Sequence, residues 1–347
     1  MSKVAVALSG GVDSAVVAKL LLEQGYEVVG ITGKMTCSEA SDIVISNAKN
    51  VADKLGIQHY VVDVSVDFKH YIIDYFENSY KQGETPNPCI MCNKYIKWGV
   101  LFDYAIKHIG VDYFATGHYA NIVEQNGIFN LYPASDEHKD QLYFLFMLNQ
   151  ECLSRTLFPL SKYKKSEVKA LAEKYDLPPK SAKESQDICF IKPPMTTKKY
   201  LADKLIAKEG DFVQKSTGKI IGKHNGYWQY TIGQRKGIGL AAPEPLYVLD
   251  IDATTGIVYV GYKKELIVKD ITLKNVHWLI KPDVTNFDAL VKIRYNMRAV
   301  KANIEVEEKS VKITFLEEVA GLTAGQACVI YDNNNGALLG GAIIYKS

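Results

Sequence analysis

The sequence has no long apolar run and no segment that resembles a secretory signal. No stretch approaches the roughly 20 consecutive apolar residues that cross a bilayer, so we expect a cytoplasmic protein with no membrane partner. Cysteine is scarce, with 6 residues in 347, which argues against a disulfide-built fold and makes each thiol a candidate ligand or nucleophile. The remaining composition, 47% apolar and 23% charged, is ordinary for a globular chain of two or three domains.

Charge is nearly balanced over the whole chain but not along it. The formal net charge is +2, yet residues 160–240 hold 17 Lys and Arg against 8 Asp and Glu, a local balance of +9. The remainder holds 24 against 31, or −7. A basic region on an acidic frame fits an extended polyanion such as a nucleic acid. Lysines that only solvate exposed helices fit these numbers equally well.

The first 31 residues predict a strand, a helix and a second strand. The apolar run over Lys3–Leu8 is typical of a buried strand, and apolar residues recur at helical spacing over Ser14–Gln24. Gly25 ends the helix, and Val28–Ile31 continues as a strand. Parallel strands need such a crossover, so the sequence predicts an α/β domain with a parallel sheet.

The turn between this strand and helix reads SGGVDS over Ser9–Ser14. Glycines allow the backbone to approach a ligand closely, and amide groups at a helix start favour phosphate oxygens. The turn has neither a Walker-type lysine nor the spacing G-x-G-x-x-G. It resembles the pyrophosphate loop of the ATP pyrophosphatase superfamily. That resemblance implies that ATP is split between its α- and β-phosphates, with Mg²⁺ as a cofactor.

Two of the cysteines lie in TPNPCIMCNKYIKW, residues Thr85–Trp98. Prolines oppose a regular helix before Cys89, and the apolar pattern favours one after Cys92. Amide dipoles at a helix start lower the pKa of a cysteine, here with assistance from Lys94 and Lys97. We therefore expect these thiols to be reactive.

A third cysteine, Cys189, lies in SQDICFI, residues Ser185–Ile191. The apolar run around it predicts a short strand. Taken alone, that pattern is typical of a buried structural cysteine.

Several motifs, in order along the chain, resemble the tRNA-specific 2-thiouridylase family. Besides the phosphate loop and the cysteine segments, they are ATGHY at Ala115–Tyr119, KDQLYF at Lys139–Phe144, TIGQRKG at Thr231–Gly237, RY at Arg294–Tyr295 and GGAII at Gly340–Ile344. The resemblance implies ATP-dependent adenylation of the carbon-2 oxygen of the wobble uridine, position 34, in tRNA, followed by sulfur transfer that gives 2-thiouridine. It also implies tRNAs with Lys, Glu and Gln anticodons as partners, and a cysteine desulfurase or persulfide relay protein as sulfur donor.

The resemblance also implies roles for individual residues. Cys189 matches the persulfide carrier. Cys92 matches the nucleophilic partner thiol that either releases sulfide or resolves the persulfide, which leaves a transient Cys92–Cys189 disulfide. The implied ATP-binding positions are Ala7, Leu8, Ser9, Gly10, Gly11, Val12, Asp13, Ser14, Gly33 and Gly117, with Asp13 also catalytic and a candidate Mg²⁺ ligand. The implied tRNA-binding positions are Asn87, Pro88, Cys89, Lys139, Asp140, Gln141, Arg294 and Tyr295.

Two positions depart from the family pattern. Cys89 stands where well-known members carry an aspartate. It faces the base or, together with Cys92 and Cys189, supplies the third thiolate of a [4Fe-4S] cluster as in related RNA thiolases. The persulfide and cluster mechanisms both stay open at this point. Gly33 stands where members often carry a methionine beside the adenine, so we expect weaker apolar packing on that base.

The pattern of elements divides the chain into three parts. We expect an ATP-pyrophosphatase catalytic domain over residues 1–195, a small, mainly β, tRNA-contacting domain over 196–262, and an antiparallel β-barrel over 263–347. Two rival functions remain at this stage. A PP-loop amide ligase would share the phosphate loop without needing two distant thiols, and a non-catalytic RNA-binding protein would need neither an intact loop nor the thiols.

Overall fold

The computed structural model describes residues 1–178, 188–206 and 209–346. Its N-terminal part contains, among these residues, a parallel sheet with the strand order β3-β2-β1-β4-β7 and a separate hairpin of β5 and β6. The strands are β1 (Lys3–Ala7), β2 (Glu27–Lys34), β3 (His59–Asp63), β4 (Tyr113–Ala115), β5 (Asn121–Gln125), β6 (Ile128–Tyr132) and β7 (Thr156–Leu157). The predicted parallel sheet is confirmed.

Helices cover both faces of this sheet. They are α1 (Val12–Glu23), α2 (Glu39–Leu55), α3 (Ser65–Phe68), α4 (Tyr75–Lys81), α5 (Pro88–Met91), α6 (Phe102–Tyr104), α7 (Gln150–Ser154) and α8 (Lys165–Lys174), with π-helical stretches at Lys69–Asp74, Cys92–Leu101 and Ala105–Ile109 and a 3-10 turn at Leu142–Leu145. The α1 helix is buried on most sides because it packs between the sheet, α2 and α8. No helix among the described residues is long and apolar enough to cross a membrane.

The central part is a small mixed sheet. After α9 (Thr197–Ala202), it comprises β8 (Gly210–Gln214), β9 (Ile220–His224), β10 (Tyr247–Asp252) and β11 (Ile257–Gly261), with a 3-10 turn at Tyr227–Gln229. The strand order is β10-β11-β8-β9, in which the β11–β8 pair is parallel. Its own small core includes Phe212, Val248 and Val258, which are buried.

The C-terminal part is a curled antiparallel sheet. A 3-10 turn at Lys263–Leu266 precedes β12 (Ile267–Lys274), β13 (His277–Trp278), β14 (Asn286–Lys292), β15 (Val300–Val306), β16 (Ser310–Ala320), β17 (Ala327–Asp332) and β18 (Leu338–Ile343). The strand order is β12-β16-β15-β14-β17-β18-β13, and β12 also contacts β18, which bends the sheet round on itself. The predicted succession of an α/β part, a small β part and an antiparallel barrel-like part is confirmed, whereas the exact domain boundaries stay predictions.

The C-terminal sheet shares a core with the N-terminal part. The buried Tyr143 hydroxyl donates to the Ala327 carbonyl at 2.9 Å and accepts from the Ala327 amide at 3.1 Å. Nearby, Gln326 donates to the Thr85 carbonyl at 2.7 Å, and the Thr85 amide donates to the Ala324 carbonyl at 2.9 Å. These bonds attach the barrel to the segment that leads into the cysteines.

Arg294 joins the central and C-terminal parts. Its Nη2 atom donates to the Ile232 carbonyl at 3.2 Å, to Thr323 Oγ1 at 2.9 Å and to the Gly321 carbonyl. β14 ends at Lys292, so Arg294 lies in the turn after β14 and its side chain points into this junction. Burial lowers its pKa from the ordinary arginine value, although it remains a cation at neutral pH.

Replacing Arg294 with alanine is expected to destabilise the protein much more than replacing Arg298. Arg294→Ala leaves buried acceptors unpaired, which costs about 2–3 kcal/mol. Arg298 is 79% exposed and pairs with Glu317 at the surface, so Arg298→Ala should cost less than about 1 kcal/mol. Urea unfolding followed by circular dichroism measures both. Equal shifts of the unfolding midpoint in the two variants would show that the Arg294 hydrogen bonds between the central and C-terminal parts do not stabilise the fold.

Candidate active site

The site lies where the strand order of the parallel sheet reverses. β1 pairs with β2 on one side and with β4 on the other, and the chain leaves these strands toward opposite sides of the sheet. Ligands in open parallel sheets bind beyond the carboxyl ends of the strands at this point. The turn after β1 contains Ser9–Ser14, and the turn after β4 contains Gly117 and His118. The two motifs predicted to bind ATP are therefore neighbours.

The phosphate loop is a turn that only glycine fits. Gly10 has φ +72°, and a Cβ atom there would lie 2.8 Å from the Asn47 Cβ and 3.0 Å from the Val44 carbonyl. Gly11 immediately precedes α1, so the first amides of that helix point out of the loop. The Ser14 hydroxyl accepts from the Ser9 amide at 3.2 Å and lies 3.0 Å from the Gly11 carbonyl, to which it donates. This arrangement suits phosphate oxygens.

Asp13 is already bonded within the protein. Lys165 Nζ lies 2.7 Å from both carboxylate oxygens of Asp13, and the Tyr119 hydroxyl donates to Oδ1 at 3.1 Å. Mg²⁺ in nucleotide sites commonly takes one or two carboxylates and completes its shell with water and phosphate oxygens. The Asp13 carboxylate, beside the phosphate loop, fits that requirement once its ion pair with Lys165 is broken. Lys165 lies in none of the motifs described above, so the sequence did not indicate a role for it.

Two further glycines match predicted nucleotide positions. A Cβ atom on Gly117 would lie 2.9 Å from the Asp13 Cβ and 3.2 Å from the Ser14 amide, so the turn after β4 rests directly on the phosphate loop. At Gly33, a Cβ atom would lie 3.1 Å from Val64 and 3.3 Å from the Met35 methyl group. Met35 therefore packs against the space beside Gly33, so an apolar group borders this position despite the glycine.

The three predicted thiols come from two segments. Cys89 is exposed in the first turn of α5, which begins at Pro88, and Cys92 is half-buried at the start of the following π-helical stretch. Cys189 is exposed and lies in a turn, so the predicted strand and the reading of a buried structural cysteine are both wrong. Part of the SQDICFI motif, Ser185–Asp187, lies outside the described residues.

The thiols lie close enough to influence one another electrostatically, and their pKa values are raised. Although Cys89 and Cys189 keep some exposed surface, the protein atoms packed around each sulfur reduce its solvation. This desolvation raises the pKa of Cys92 to about 11 and that of Cys189 to about 12, and it also raises that of Cys89. Negative charge on Cys92 and Cys89 adds to the rise at Cys189. The prediction of lowered pKa values is wrong because desolvation outweighs the attraction of Lys97. Lys94 does not contribute, since its ammonium lies over the Tyr95 ring, 5.0 Å from the centroid.

Lys97 and His118 connect the thiols to the nucleotide side. Lys97 Nζ donates to His118 Nε2 at 3.3 Å, while His118 Nδ1 lies 2.7 Å from Thr116 Oγ1. Burial, and then the Lys97 charge, lower the pKa of His118 well below its ordinary value. The imidazole is therefore neutral at pH 7, with Nε2 accepting from Lys97 and Nδ1 donating to Thr116.

The described residues do not form a metal centre. No group of three or more His, Cys, Asp or Glu side chains in the described part of the chain is arranged to hold a metal ion, the three thiols included. The [4Fe-4S] cluster that Cys89, Cys92 and Cys189 could hold therefore stays a prediction.

The predicted tRNA-contacting positions split into internal and surface groups. Asp140 accepts from the Ala134 amide at 3.0 Å and from the Leu142 amide at 3.1 Å, and Gln141 accepts from the Tyr119 amide at 3.1 Å. The side chains of both residues thus shape the loop beside Tyr119.

The remaining predicted tRNA positions surround that loop. The Tyr295 hydroxyl donates to the Asp140 carbonyl at 3.2 Å, which brings Arg294–Tyr295 next to the Lys139–Gln141 segment. Asn87 is half-buried and Pro88 is buried, at the start of α5 beside Cys89. The tRNA-binding roles of these residues stay predictions.

The pH dependence of alkylation tests the thiol environment. A pKa of about 11 at Cys92 gives roughly 100-fold less thiolate at pH 8 than an ordinary value near 9, so its alkylation rate should climb steeply up to about pH 11. Lys97→Met removes a stabilising cation and should move the profiles of all three thiols to higher pH. Lys94→Met, the matched control, should leave them unchanged. Site-resolved mass spectrometry of iodoacetamide adducts supplies the rates, and Cys92 ionising below pH 8 would contradict this picture.

Comparison with known proteins identifies the family. A tRNA methyl transferase HUP domain profile matches residues 2–193, a tRNA methyl transferase PRC-barrel domain profile matches 198–262, and an aminomethyltransferase beta-barrel domain profile matches 268–344. The tRNA-specific 2-thiouridylase MnmA of Carboxydothermus hydrogenoformans is 42% identical over 99% of this chain and 98% of its own length. That of a Picosynechococcus species is 41% identical, with the same two coverages of 99% and 98%.

One solved structure is similar to this chain over about half of its length. The U34-tRNA thiolase NcsA from Methanococcus maripaludis, determined with its [4Fe-4S] cluster, is 25% identical, with a TM-score of 0.36 over 55% of this chain and 61% of that one. The full-length relatives are far more similar in sequence. With three successive domain profiles and about 40% identity over nearly the whole chain, the protein belongs to the tRNA-specific 2-thiouridylase family.

Proposed function

We propose that this chain is an ATP-dependent sulfurtransferase that converts the wobble uridine of tRNA, position 34, to 2-thiouridine. The observation that carries the proposal is the proximity of the phosphate loop to Lys97, whose charge acts on the thiols. Gly117 lies against Asp13, the next residue His118 accepts from Lys97, and the Lys97 charge partly offsets the rise in the pKa of all three thiols. This proximity supports a reaction in which the uridine is activated next to the thiols that deliver sulfur.

The first step is adenylation of the uridine. The carbon-2 oxygen attacks the α-phosphorus of ATP, the bond to the β-phosphate oxygen breaks, and pyrophosphate leaves. In this proposal the first amides of α1 and the hydroxyls of Ser9 and Ser14 hold the departing phosphates. Mg²⁺ at Asp13 would offset the negative charge that develops there.

The second step transfers sulfur. The terminal sulfur of a persulfide on Cys189 attacks carbon 2, and AMP leaves with the former carbonyl oxygen. Cys92 then attacks the Cys189 sulfur, which leaves the other sulfur on the tRNA and forms a Cys92–Cys189 disulfide. An external thiol reductant supplies the two electrons that restore both thiols. Lys97 is positioned to stabilise each thiolate as it forms.

Three further assignments complete the proposal. The tRNA substrates carry Lys, Glu and Gln anticodons, the sulfur comes from a cysteine desulfurase or persulfide relay protein, and the reaction takes place in the cytoplasm. They rest on the resemblance of the motifs to the family. An amide ligase with the same phosphate loop would form AMP without tRNA, so strict tRNA dependence of pyrophosphate release distinguishes the two.

Serine substitutions should separate the two steps. Cys92→Ser and Cys189→Ser are expected to abolish 2-thiouridine formation but to retain pyrophosphate release with ATP and tRNA, because neither thiol takes part in adenylation. Cys37→Ser, in an exposed loop, is the matched control and should remain fully active. Thiouridine is measured by nucleoside mass spectrometry. Full thiolation by either Cys92→Ser or Cys189→Ser would contradict the proposed sulfur route.

Cys89→Asp decides between the persulfide and cluster mechanisms. In the persulfide mechanism the variant restores the family's carboxylate and should keep or increase activity. In the cluster mechanism it should lose most bound iron, because a carboxylate replaces a thiolate poorly on iron. The measurement is iron and sulfide content after anaerobic reconstitution, alongside activity. Fully active iron-free protein supports the proposal, whereas oxygen-sensitive activity that tracks iron content contradicts it.

Binding of tRNA should weaken steeply with salt. Phosphate contacts release counterions, so the logarithm of affinity falls linearly with that of the salt concentration. Lys139→Glu should lower tRNA affinity and leave ATP affinity unchanged, whereas Lys309→Glu, an exposed lysine near the β15–β16 turn, should change neither. Filter binding at KCl concentrations from about 0.05 to 0.3 M gives the slope of log affinity against log salt for each variant. A tRNA affinity that does not change with salt, or equal effects of Lys139→Glu and Lys309→Glu, would refute the assignment of Lys139 to the tRNA-binding surface.

A further inference from the structure

Lys165 places a cation at a phosphate loop that has none of its own. We propose that Lys165 binds the β- and γ-phosphates of ATP, and that Asp13 and Tyr119 hold its ammonium group beside the loop until the nucleotide arrives. The inference rests on the proposed ATP site. It adds to that site a binding residue from a segment 152 positions further along the chain.

The position of Lys165 is set by both its helix and its partners. It is the first residue of α8, a helix that packs on α1, and its amide donates to Asp136 Oδ2 at 2.8 Å. Val168, one turn later, is fully buried and anchors the helix. The two helices therefore start close together, with the Lys165 side chain directed from one start toward the other.

The Lys165 side chain is largely withdrawn from water. It is 13% exposed, against 31% for Asp13, and its ammonium lies 2.7 Å from both carboxylate oxygens and 5.8 Å from the centroid of the Tyr119 ring. A charge in such a place requires a counter-charge. Asp13 provides that counter-charge in the structure, and it is also the carboxylate expected to bind Mg²⁺.

Binding of Mg-ATP then favours an exchange of partners. When Mg²⁺ binds the Asp13 carboxylate, the attraction between Asp13 and Lys165 weakens, and the phosphate chain in the adjacent loop offers the ammonium group a new anionic partner. A lysine suits this exchange because its ammonium is a compact charge on a flexible stem and has three donors. The pair thus keeps the loop neutral before binding and supplies a cation to the phosphates afterwards.

Nucleotide affinities test the assignment directly. Lys165→Met should weaken ATP binding roughly 10- to 100-fold, the value of a hydrogen bond to a charged group, and should leave AMP binding unchanged because AMP lacks the β- and γ-phosphates. Lys162→Met, an exposed lysine three residues earlier, should change neither affinity. Titration calorimetry with Mg-ATP and with AMP gives the constants, and thermal unfolding checks that each variant is folded. Equal ATP affinity in wild type and a folded Lys165→Met, or equal losses for ATP and AMP, would overturn the inference.

Asp13→Asn supplies a second test that does not depend on Lys165→Met folding. Without Mg²⁺, inorganic pyrophosphate must compete with Asp13 for Lys165, so Asp13→Asn should bind pyrophosphate about tenfold more tightly than wild type. In Asp13→Asn/Lys165→Gln, the double variant, that gain should disappear. A gain that persists in the double variant would mean that only the removal of the Asp13 charge matters and would contradict the role of Lys165. Wild type that binds neither ATP nor pyrophosphate would instead refute the proposed function itself.

Discussion

The close approach of the turn after β4 to the turn after β1 is the constraint on which the rest of the site depends. Gly117 lies so near Asp13 and Ser14 that any side chain at position 117 would collide with them. Because β1 and β4 are paired, this contact fixes the phosphate loop relative to the residue that follows, His118. Lys97 lies in the same helical segment as Cys92 and donates a hydrogen bond to His118. The contact at Gly117 therefore also helps to set the position of the thiols relative to the phosphate loop.

Desolvation of the thiols keeps them protonated, and therefore weakly reactive, until sulfur is loaded on Cys189. With pKa values of about 11 and 12, Cys92 and Cys189 are protonated at neutral pH and react slowly with stray electrophiles. A persulfide is a better nucleophile than a thiol at neutral pH, so loading sulfur on Cys189 would activate the site only when the donor has acted. The Lys97 cation favours thiolate formation at each of the three sulfurs, which explains a lysine beside a group of neutral thiols.

The β1-α1-β2 unit, the phosphate loop and the order of the three parts could be predicted because each depends on local patterns: apolar periodicity, glycine at a turn and strand-rich composition. The pKa values of the thiols are raised and not lowered as predicted. The sequence contains Lys94 and Lys97 next to the thiols but does not reveal the packing that removes water from the sulfurs. Arg294 shows the same limit. The resemblance implies that it contacts tRNA, whereas its side chain bonds to backbone and hydroxyl groups of two sheet-forming parts of the chain. Lys165 reaches Asp13 only through the packing of α8 on α1, which has no local signature.

The most direct test of the account is the fate of the uridine oxygen. Adenylation of the carbon-2 oxygen requires that this atom leave with AMP, so a tRNA labelled with ¹⁸O at carbon 2 of uridine 34 should give one labelled AMP for each 2-thiouridine formed. The reaction mixture contains the reduced protein, Mg-ATP and a persulfide donor, and mass spectrometry of AMP and nucleosides measures both products. Unlabelled AMP, or ADP and phosphate in place of AMP and pyrophosphate, would contradict the account.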